Sequence, residues 1–159
     1  MNQPASNRSA IRAWLQLVRL PNLFSVPGDV VAGAFFAAAA SSSGVSAGSL
    51  AWAAAFSVAV YAGGLIDNDC VDFEEDRRER PGRPLPSGRI PMAWARLAAF
   101  LLLASPFLAG QAVAMPSAWS RVQIGLVVAV WTYNRVKGRF PWLGFGLMGL
   151  CRGLNFFAG

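Results

Sequence analysis

Asp67-Asn68-Asp69-Cys70-Val71-Asp72-Phe73-Glu74-Glu75-Asp76-Arg77-Arg78-Glu79-Arg80, running on through Pro81-Gly82-Arg83-Pro84-Leu85-Pro86-Ser87-Gly88-Arg89-Ile90, lies between two long apolar segments of this 159-residue chain. Seven of the eight acidic residues fall between Asp67 and Glu79. Asn68, Asp72 and Asp76 recur every four residues, so on a continuous helix their oxygens drift by only about 40° per step and form one stripe. Like charges at that spacing destabilise a helix by roughly a few tenths of a kcal/mol per pair, and a cation bound to the stripe would relieve them. Hard oxygen donors favour Mg²⁺, which takes one or two carboxylates, keeps waters and shares phosphate oxygens of a substrate. Arg77, Arg78, Arg80, Arg83 and Arg89 follow at once. Metal and guanidinium together neutralise a diphosphate, and Arg grips it bidentately. The competing explanation is a charged loop joining membrane helices, but topology calls for basic residues only and not for carboxylates at this spacing.

Composition bounds the class independently. The chain is 55% hydrophobic and 14% charged, with ten Pro and sixteen Gly, as expected of a membrane protein rather than a soluble domain. A formal charge of +6 invites nucleic acid. The basic residues sit at the ends of apolar runs and form no face with spaced aromatics, so nucleic acid is not expected as a partner. Cys70 and Cys151 lie in unrelated segments, indicating neither a disulfide framework nor a zinc site. The absence of His removes the usual Ser-His and Cys-His nucleophile pairs. There is no P-loop, and no internal repeat is evident.

Taken in order, residues 1–9 are polar and read as disordered, and 10–20 read as a short amphipathic helix on the membrane surface, ended by Pro21. Residues 1–21 thus form a lead-in and 22–159 a membrane region. A first apolar run covers 23–40; a cleaved signal peptide is the rival reading, opposed by the long lead-in and by Pro27-Gly28-Asp29 within the run. A Ser/Gly loop at 41–49 precedes a second run, 50–66, that feeds the acidic stretch. A third run at 97–115 contains Pro106, which should kink it, then a turn at 116–120 leads to a fourth helix from Val122 through Tyr133 toward Lys137. A fifth begins at Trp142 and is expected to continue to Gly159. Twelve of the fourteen basic residues fall in the lead-in and in the loops after helices two and four. The positive-inside rule therefore puts the N-terminus, the acidic stretch and the Tyr133/Lys137 region on the cytoplasmic side.

Two ionisable residues lie within apolar runs. Asp29 either lines a chamber or caps amides freed by Pro27; Arg152 either contacts an anion or cavity or pairs with Asp29. Gly144-x-Gly146-x-x-Gly149 lacks a preceding strand and is not a dinucleotide site, whereas Gly149-x-x-x-Gly153 suits close helix packing.

Asn68-Asp69-x-x-Asp72-x-x-x-Asp76 followed by Arg80-x-x-Arg83-Pro84-Leu85-Pro86-Ser87-Gly88 resembles the first aspartate-rich motif and following loop of the UbiA superfamily of intramembrane prenyltransferases. Arg19-Leu20-Pro21-Asn22 resembles the family's R-x-x-N signature, Tyr133-x-x-x-Lys137 its Y-x-x-x-K element, and residues 150–155 a fifth-helix segment of one bacterial branch. The family's second D-x-x-x-D motif has no counterpart, since no Asp or Glu follows Glu79.

The resemblance implies an all-α polytopic protein, about five transmembrane helices of a nine-helix fold, in a bacterial-type inner membrane. It implies Mg²⁺-dependent transfer of a polyprenyl group from its diphosphate to a hydrophobic, commonly aromatic, acceptor in contact with lipid. Asn68, Asp72 and Asp76 would hold Mg²⁺ with Asp69 supporting; Asp72, Asp76 and Lys137 would be the catalytic set. Arg80, Arg83 and Lys137 would contact the diphosphate, and Asn22, Tyr133 and Arg152 would line the chamber. With one acidic motif, the 159 residues alone are expected to transfer nothing. Two other classes stay open: a non-catalytic relative that transports or scaffolds a lipophilic metabolite, and a phosphatidyl alcohol transferase, whose D-G-x-x-A-R pattern the stretch lacks.

Overall fold

The computed structural model describes residues 4–41, 44–112 and 117–159, and no strand occurs among them. Eight helices follow in order: α1 (Pro4–Leu17), α2 (Leu20–Leu23), α3 (Pro27–Ser41), α4 (Ala47–Val71), α5 (Phe73–Glu79), α6 (Met92–Ala112), α7 (Ser117–Val136) and α8 (Pro141–Phe157). The long helix α4 is central, packing against α3, α6 and α7, while α8 closes the bundle against α3 and α7.

Several boundaries differ from the sequence reading for local reasons. Residues 4–9 are helical and belong to α1. Pro21 does not stop that helix; Arg19 does, with a left-handed backbone (φ 49°), and Pro21 then occupies the first turn of α2, where its missing N–H costs nothing. α4 starts at Ala47 because Ser46 caps it, accepting from Ser49 N at 3.5 Å. Residues 117–120 are the first turn of α7, not a turn between helices. The helix α8 ends at Phe157, with Ala158 as its cap. The part of the third run at 113–115 and the expected turn residue 116 lie outside the described residues.

The lead-in helix packs on protein through part of its apolar side. Ala13 and Leu17 are fully buried, in one cluster with Ile66 of α4, Leu85 and Ile90 of the loop after α5, and Ala95 and Ala99 of α6. Burying side chains such as Leu17, Leu85 and Ile90 contributes about 1.5–3 kcal/mol each, enough to fix a loop that is otherwise Pro, Gly and Arg. Its reversal is completed at Gly88, whose φ of 71° suits a residue without a Cβ, and by Ile90 N donating to Pro84 O at 3.2 Å. The cluster therefore ties the Arg80–Arg89 loop to α1 and to the end of α4.

Among the described residues, Leu20–Ser41 and Ala47–Val71 are long and apolar enough to cross a membrane. Phe24, Phe36, Phe100, Leu108, Trp142, Phe145 and Phe157 all stand outward and exposed, an apolar exterior unlike that of a soluble bundle. At Gly33 the backbones of α3 and α8 approach so closely that a Cβ would lie 1.9 Å from Phe156 O. This small-residue contact brings the polar residues of α3 and α8 together.

Candidate functional site

The acidic stretch does not form one straight stripe. Asn68 and Asp69 lie in the last turns of α4, Asp72 occupies the junction (φ −80°, ψ 6°), and Asp76 lies in α5. Hydrogen bonds from Asp72 N to Asn68 O (2.9 Å) and from Asp76 N to Asp72 O (2.9 Å) preserve the four-residue spacing across the bend. The spacing predicts a stripe facing one cavity; its side chains meet two sets of basic residues, Lys137 and Arg83, and the two groups are joined by Asn68 Nδ2 donating to Asp69 Oδ1 at 3.4 Å.

In the first group, Lys137 Nζ donates to Asn68 Oδ1 and, at 2.6 Å, to Asp72 Oδ2. Asn68 Nδ2 also donates to Asp72 Oδ2 at 3.0 Å. Lys137 follows the C-terminus of α7, one turn beyond Tyr133, and its Nζ lies 5.9 Å from the Tyr133 ring centroid. In the second group, Asp76 is almost fully buried and accepts from Arg83 Nη1 at 2.5 Å, with Arg80 Nη1 3.7 Å away. Arg83 also reaches Asp69 at 3.7 Å, and Arg19 Nη2 donates to Asp69 Oδ1 at 3.3 Å. Burial alone would lower the Arg83 pKa, but the Asp76 hydrogen bond and the charges of Asp69, Asp76 and Asp72 raise it above its usual value. The Arg83 guanidinium therefore remains a fixed positive charge.

Helix geometry explains the division. Asp69 and Asp76 are seven residues apart, within about 20° of each other around an α-helix, whereas Asn68 and Asp76 are about 80° apart. The seven-residue pair, which a four-residue search passes over, shares the Arg83 guanidinium. Asp67 lies on the opposite side and binds α7, accepting from Asn134 Nδ2 at 2.8 Å and Arg135 Nη1 at 3.0 Å.

Two cavities adjoin these groups. An outer recess of about 450 Å³ is lined by Gln16, Arg19, Asp69, Arg80, Arg83 and Arg89, among others. Gln16 helps hold its rim by accepting from Arg89 Nη1 at 3.0 Å. An inner chamber of about 330 Å³ runs between α3, α4, α7 and α8, from Arg19, Asn68 and Tyr133 to Asp29, Ser57, Arg152 and Asn155. Arg19 borders both spaces. Asn22 is exposed and borders neither; its main chain takes part in the turn around Arg19. Arg19, Gln16, Arg89, Ser57 and Asn155 were not singled out from sequence as site residues. The R-x-x-N signature contained Arg19, the Arg run after the acidic stretch contained Arg89, and the 150–155 segment contained Asn155, while nothing in the sequence pointed to Gln16 or Ser57.

The model for the UbiA prenyltransferase family matches residues 30–159. The chain belongs to the UbiA prenyltransferase family. A digeranylgeranylglyceryl phosphate synthase of Ignicoccus hospitalis is 44% identical over 103 residues, covering 65% of this chain and 32% of that protein. The bacteriochlorophyll synthase 33 kDa chain of Cereibacter sphaeroides is 36% identical over 97 residues, covering 58% of this chain and 31% of that one. A solved structure described as digeranylgeranylglyceryl phosphate synthase in membranes superposes with a TM-score of 0.80 at 21% identity, over 94% of this chain and 52% of that chain. The matched stretch thus spans about a third of the length of these curated relatives.

Within this UbiA segment, the first group suits a small divalent cation. Asn68 Oδ1 and Asp72 Oδ2 already meet at one cationic atom, Lys137 Nζ, so both can reach a common ion. No cluster of three or more His, Cys, Asp or Glu able to hold a metal is found among the described residues. A divalent ion at the pair would fill its shell with water and phosphate oxygens, as Mg²⁺ commonly does. The second group instead offers Arg19, Arg80, Arg83 and Arg89 around one recess, a fit for phosphate oxygens.

Proposed function

We propose that the protein is a prenyltransferase that moves a polyprenyl group from its diphosphate to a hydrophobic acceptor held in the same membrane. The observation that carries this reading is the pair Asn68–Asp72, engaged by the cationic Lys137, with Asn68 also lining a chamber to which Val60, Leu65, Leu126, Val130 and Met148 contribute apolar wall. Ionising an allylic diphosphate needs this combination: positive charge for the leaving group, next to a space without bulk water for the hydrocarbon. Family membership and the similarity to two named prenyl-group synthases support it.

Asn68 and Asp72 would hold Mg²⁺, which when bound supplies positive charge that weakens the donor's C–O bond. Lys137, Arg80 and Arg83 would donate to the diphosphate oxygens as that bond breaks and its electron pair leaves with the diphosphate. Asp69 and Asp76 would aim the guanidiniums of Arg19, Arg80 and Arg83, a positioning role set by the ion pairs they make. The Tyr133 ring would flank the allylic carbon, where a π face tolerates growing positive charge. The acceptor's nucleophilic atom would then bond to that carbon and release its proton. Membranes in which these residues are part of a protein that also carries a second D-x-x-x-D motif, given a radiolabelled polyprenyl diphosphate, are expected to transfer label to a neutral lipid extract with Mg²⁺ and not with excess EDTA, whereas the 159 residues alone are expected to transfer none. Label that stays water-extractable under both conditions would overturn the reading.

The same proposal places the Leu20–Ser41 segment, α4, α6, α7 and α8 across an inner membrane, with the acidic stretch on the cytoplasmic side. The support is the crowding of Arg77, Arg78, Arg80, Arg83 and Arg89 between α4 and α6, with Arg96 near the start of α6, against Arg121 alone, near the start of α7, at the ends assigned to the other side. A cysteine replacing the exposed Glu79 should resist a membrane-impermeant thiol reagent in intact cells and react after permeabilisation. Efficient labelling before permeabilisation would reverse the orientation.

A further inference from the structure

The inner chamber carries a second polar centre, far from the acidic stretch and unused by the chemistry above. Along α4 its lining runs from Asn68 to Ser57, eleven residues or about 16 Å of helix. Arg152 lies eleven residues into α8 from Pro141, which places it near the middle of a hydrocarbon core about 30 Å thick. There Arg152 Nη2 donates to Asp29 Oδ1 at 2.7 Å. Asn155 Nδ2 donates to Val26 O at 3.2 Å and to Asp29 Oδ2 at 3.4 Å, and Asn155 Oδ1 accepts from Ser57 Oγ at 2.5 Å. Ser57 and Asn155 are buried, at 2% and 7% exposure, and all four residues line the chamber.

A purely structural ion pair would be expected to close on itself. Here a guanidinium has five N–H donors, and Arg152 uses Nη2 alone toward protein among the described residues. Its side chain remains 66% exposed. Unused donors at membrane depth, facing a chamber, are costly unless something accepts from them. The charge balance says what kind of group that is. Asp29 and Arg152 cancel, Ser57 and Asn155 are neutral, and Arg19 is engaged by Asp69 at the chamber's other end. An anionic head placed against Arg152 would also stand beside the Asp29 carboxylate, so attraction and repulsion would largely offset each other. A neutral acceptor of hydrogen bonds meets no such opposition.

We propose that the Asp29–Arg152–Asn155–Ser57 end of the chamber seats the head group of the prenyl acceptor and selects a neutral hydroxyl- or carbonyl-bearing head over an anionic one. This rests on the prenyl-transfer reading for the word acceptor, and the selectivity itself is measurable without any transfer. The chamber volume, about 330 Å³, equals the liquid share of roughly eleven waters, room for a ring with polar substituents rather than for a second long chain.

Cys151 lines the chamber and reports on its occupancy. In a Cys70→Ser background, which leaves Cys151 as the single thiol of the chain, N-ethylmaleimide labelling in detergent is followed against two probes of one shape, 1-naphthol and 1-naphthyl phosphate. Naphthol should protect Cys151, and the phosphate should protect it weakly. Asp29→Asn leaves Arg152 without its counter-charge, so the ratio of protection should shift toward the phosphate by about tenfold or more. Comparing ratios between variants cancels partition of the probes into micelles. An unchanged ratio would show the pair to be a brace and overturn the proposal. If Asp29→Asn does not accumulate as monodisperse protein, Arg152→Gln serves instead; it must lower naphthol protection by about fivefold, and unaltered protection counts against the site. Selective protection here, together with label that stays water-extractable in the membrane assay above, would refute the transfer reading and leave this site standing.

Discussion

Asp72→Ala should lower prenyl transfer by about a thousandfold while leaving insertion and folding unchanged. The carboxylate has no packing duty: it is 23% exposed at the bend between α4 and α5, and the helical hydrogen bonds through its backbone survive truncation. What disappears is one of two oxygens that meet at a common cation, together with the partner of Lys137. Asn68 alone is a neutral ligand, too weak to retain a divalent ion beside an ammonium group. The measurement is the initial rate in membranes at saturating donor, normalised to protein that elutes as a single species in detergent. Glu75→Ala is the control, because Glu75 is exposed in the same acidic run and makes no salt bridge among the described residues. Turnover near normal in Asp72→Ala would remove the acidic stretch from the mechanism.

The apolar runs were legible because a helix crossing hydrocarbon needs a length and composition that few soluble segments share; the described parts of all five are largely helical, and two of the helices are long and apolar enough to cross a membrane. The lead-in was misread at Pro21, since a proline that stops one helix and one that starts the next look alike in sequence. The left-handed turn at Arg19 that separates them has no composition signal. The Arg-rich loop was read for its guanidiniums alone, whereas Leu85 and Ile90 bury themselves in one cluster with Leu17 and Ile66 and tie it down. That depended on a contact between residues far apart in the chain. The acidic motif was found by its four-residue period, which captured Asn68 and Asp72 correctly as neighbours. The same period took in Asp76, whose carboxylate meets Arg83 rather than Lys137, because two four-residue steps on a helix of 3.6 residues per turn rotate by about 80°. Asp29 and Arg152 were recognised as candidates for pairing, and the ion pair is present at 2.7 Å. Ser57 was missed because single small polar residues in apolar helices are too common to signal a site, and Asn155 was noted within the 150–155 segment without being given a role.

Lys137→Met should move two quantities in opposite directions, and this separates its part in the free site from its part in the reaction. In the structure its ammonium engages the same two oxygens that would hold a divalent ion, so metal entry must displace it from both Asn68 and Asp72. Removing the ammonium removes a competitor and a like charge within a few ångströms. Mn²⁺, used as a spectroscopic stand-in for Mg²⁺, is therefore expected to bind about three- to tenfold more tightly without diphosphate; a pair 22–23% exposed is screened too well for a larger change. The displaced ammonium is then free to turn to the leaving group, and its loss should cost about a hundredfold in transfer rate at saturating metal. Lys137→Arg keeps the charge but replaces a compact ion with a wide planar fork, so it should restore only part of the rate. Electron paramagnetic resonance of Mn²⁺ in titrations gives the first quantity and label transfer the second. If Mn²⁺ binding weakens together with the rate, the ammonium does not compete for the site but organises it, holding Asn68 and Asp72 in position from the end of α7.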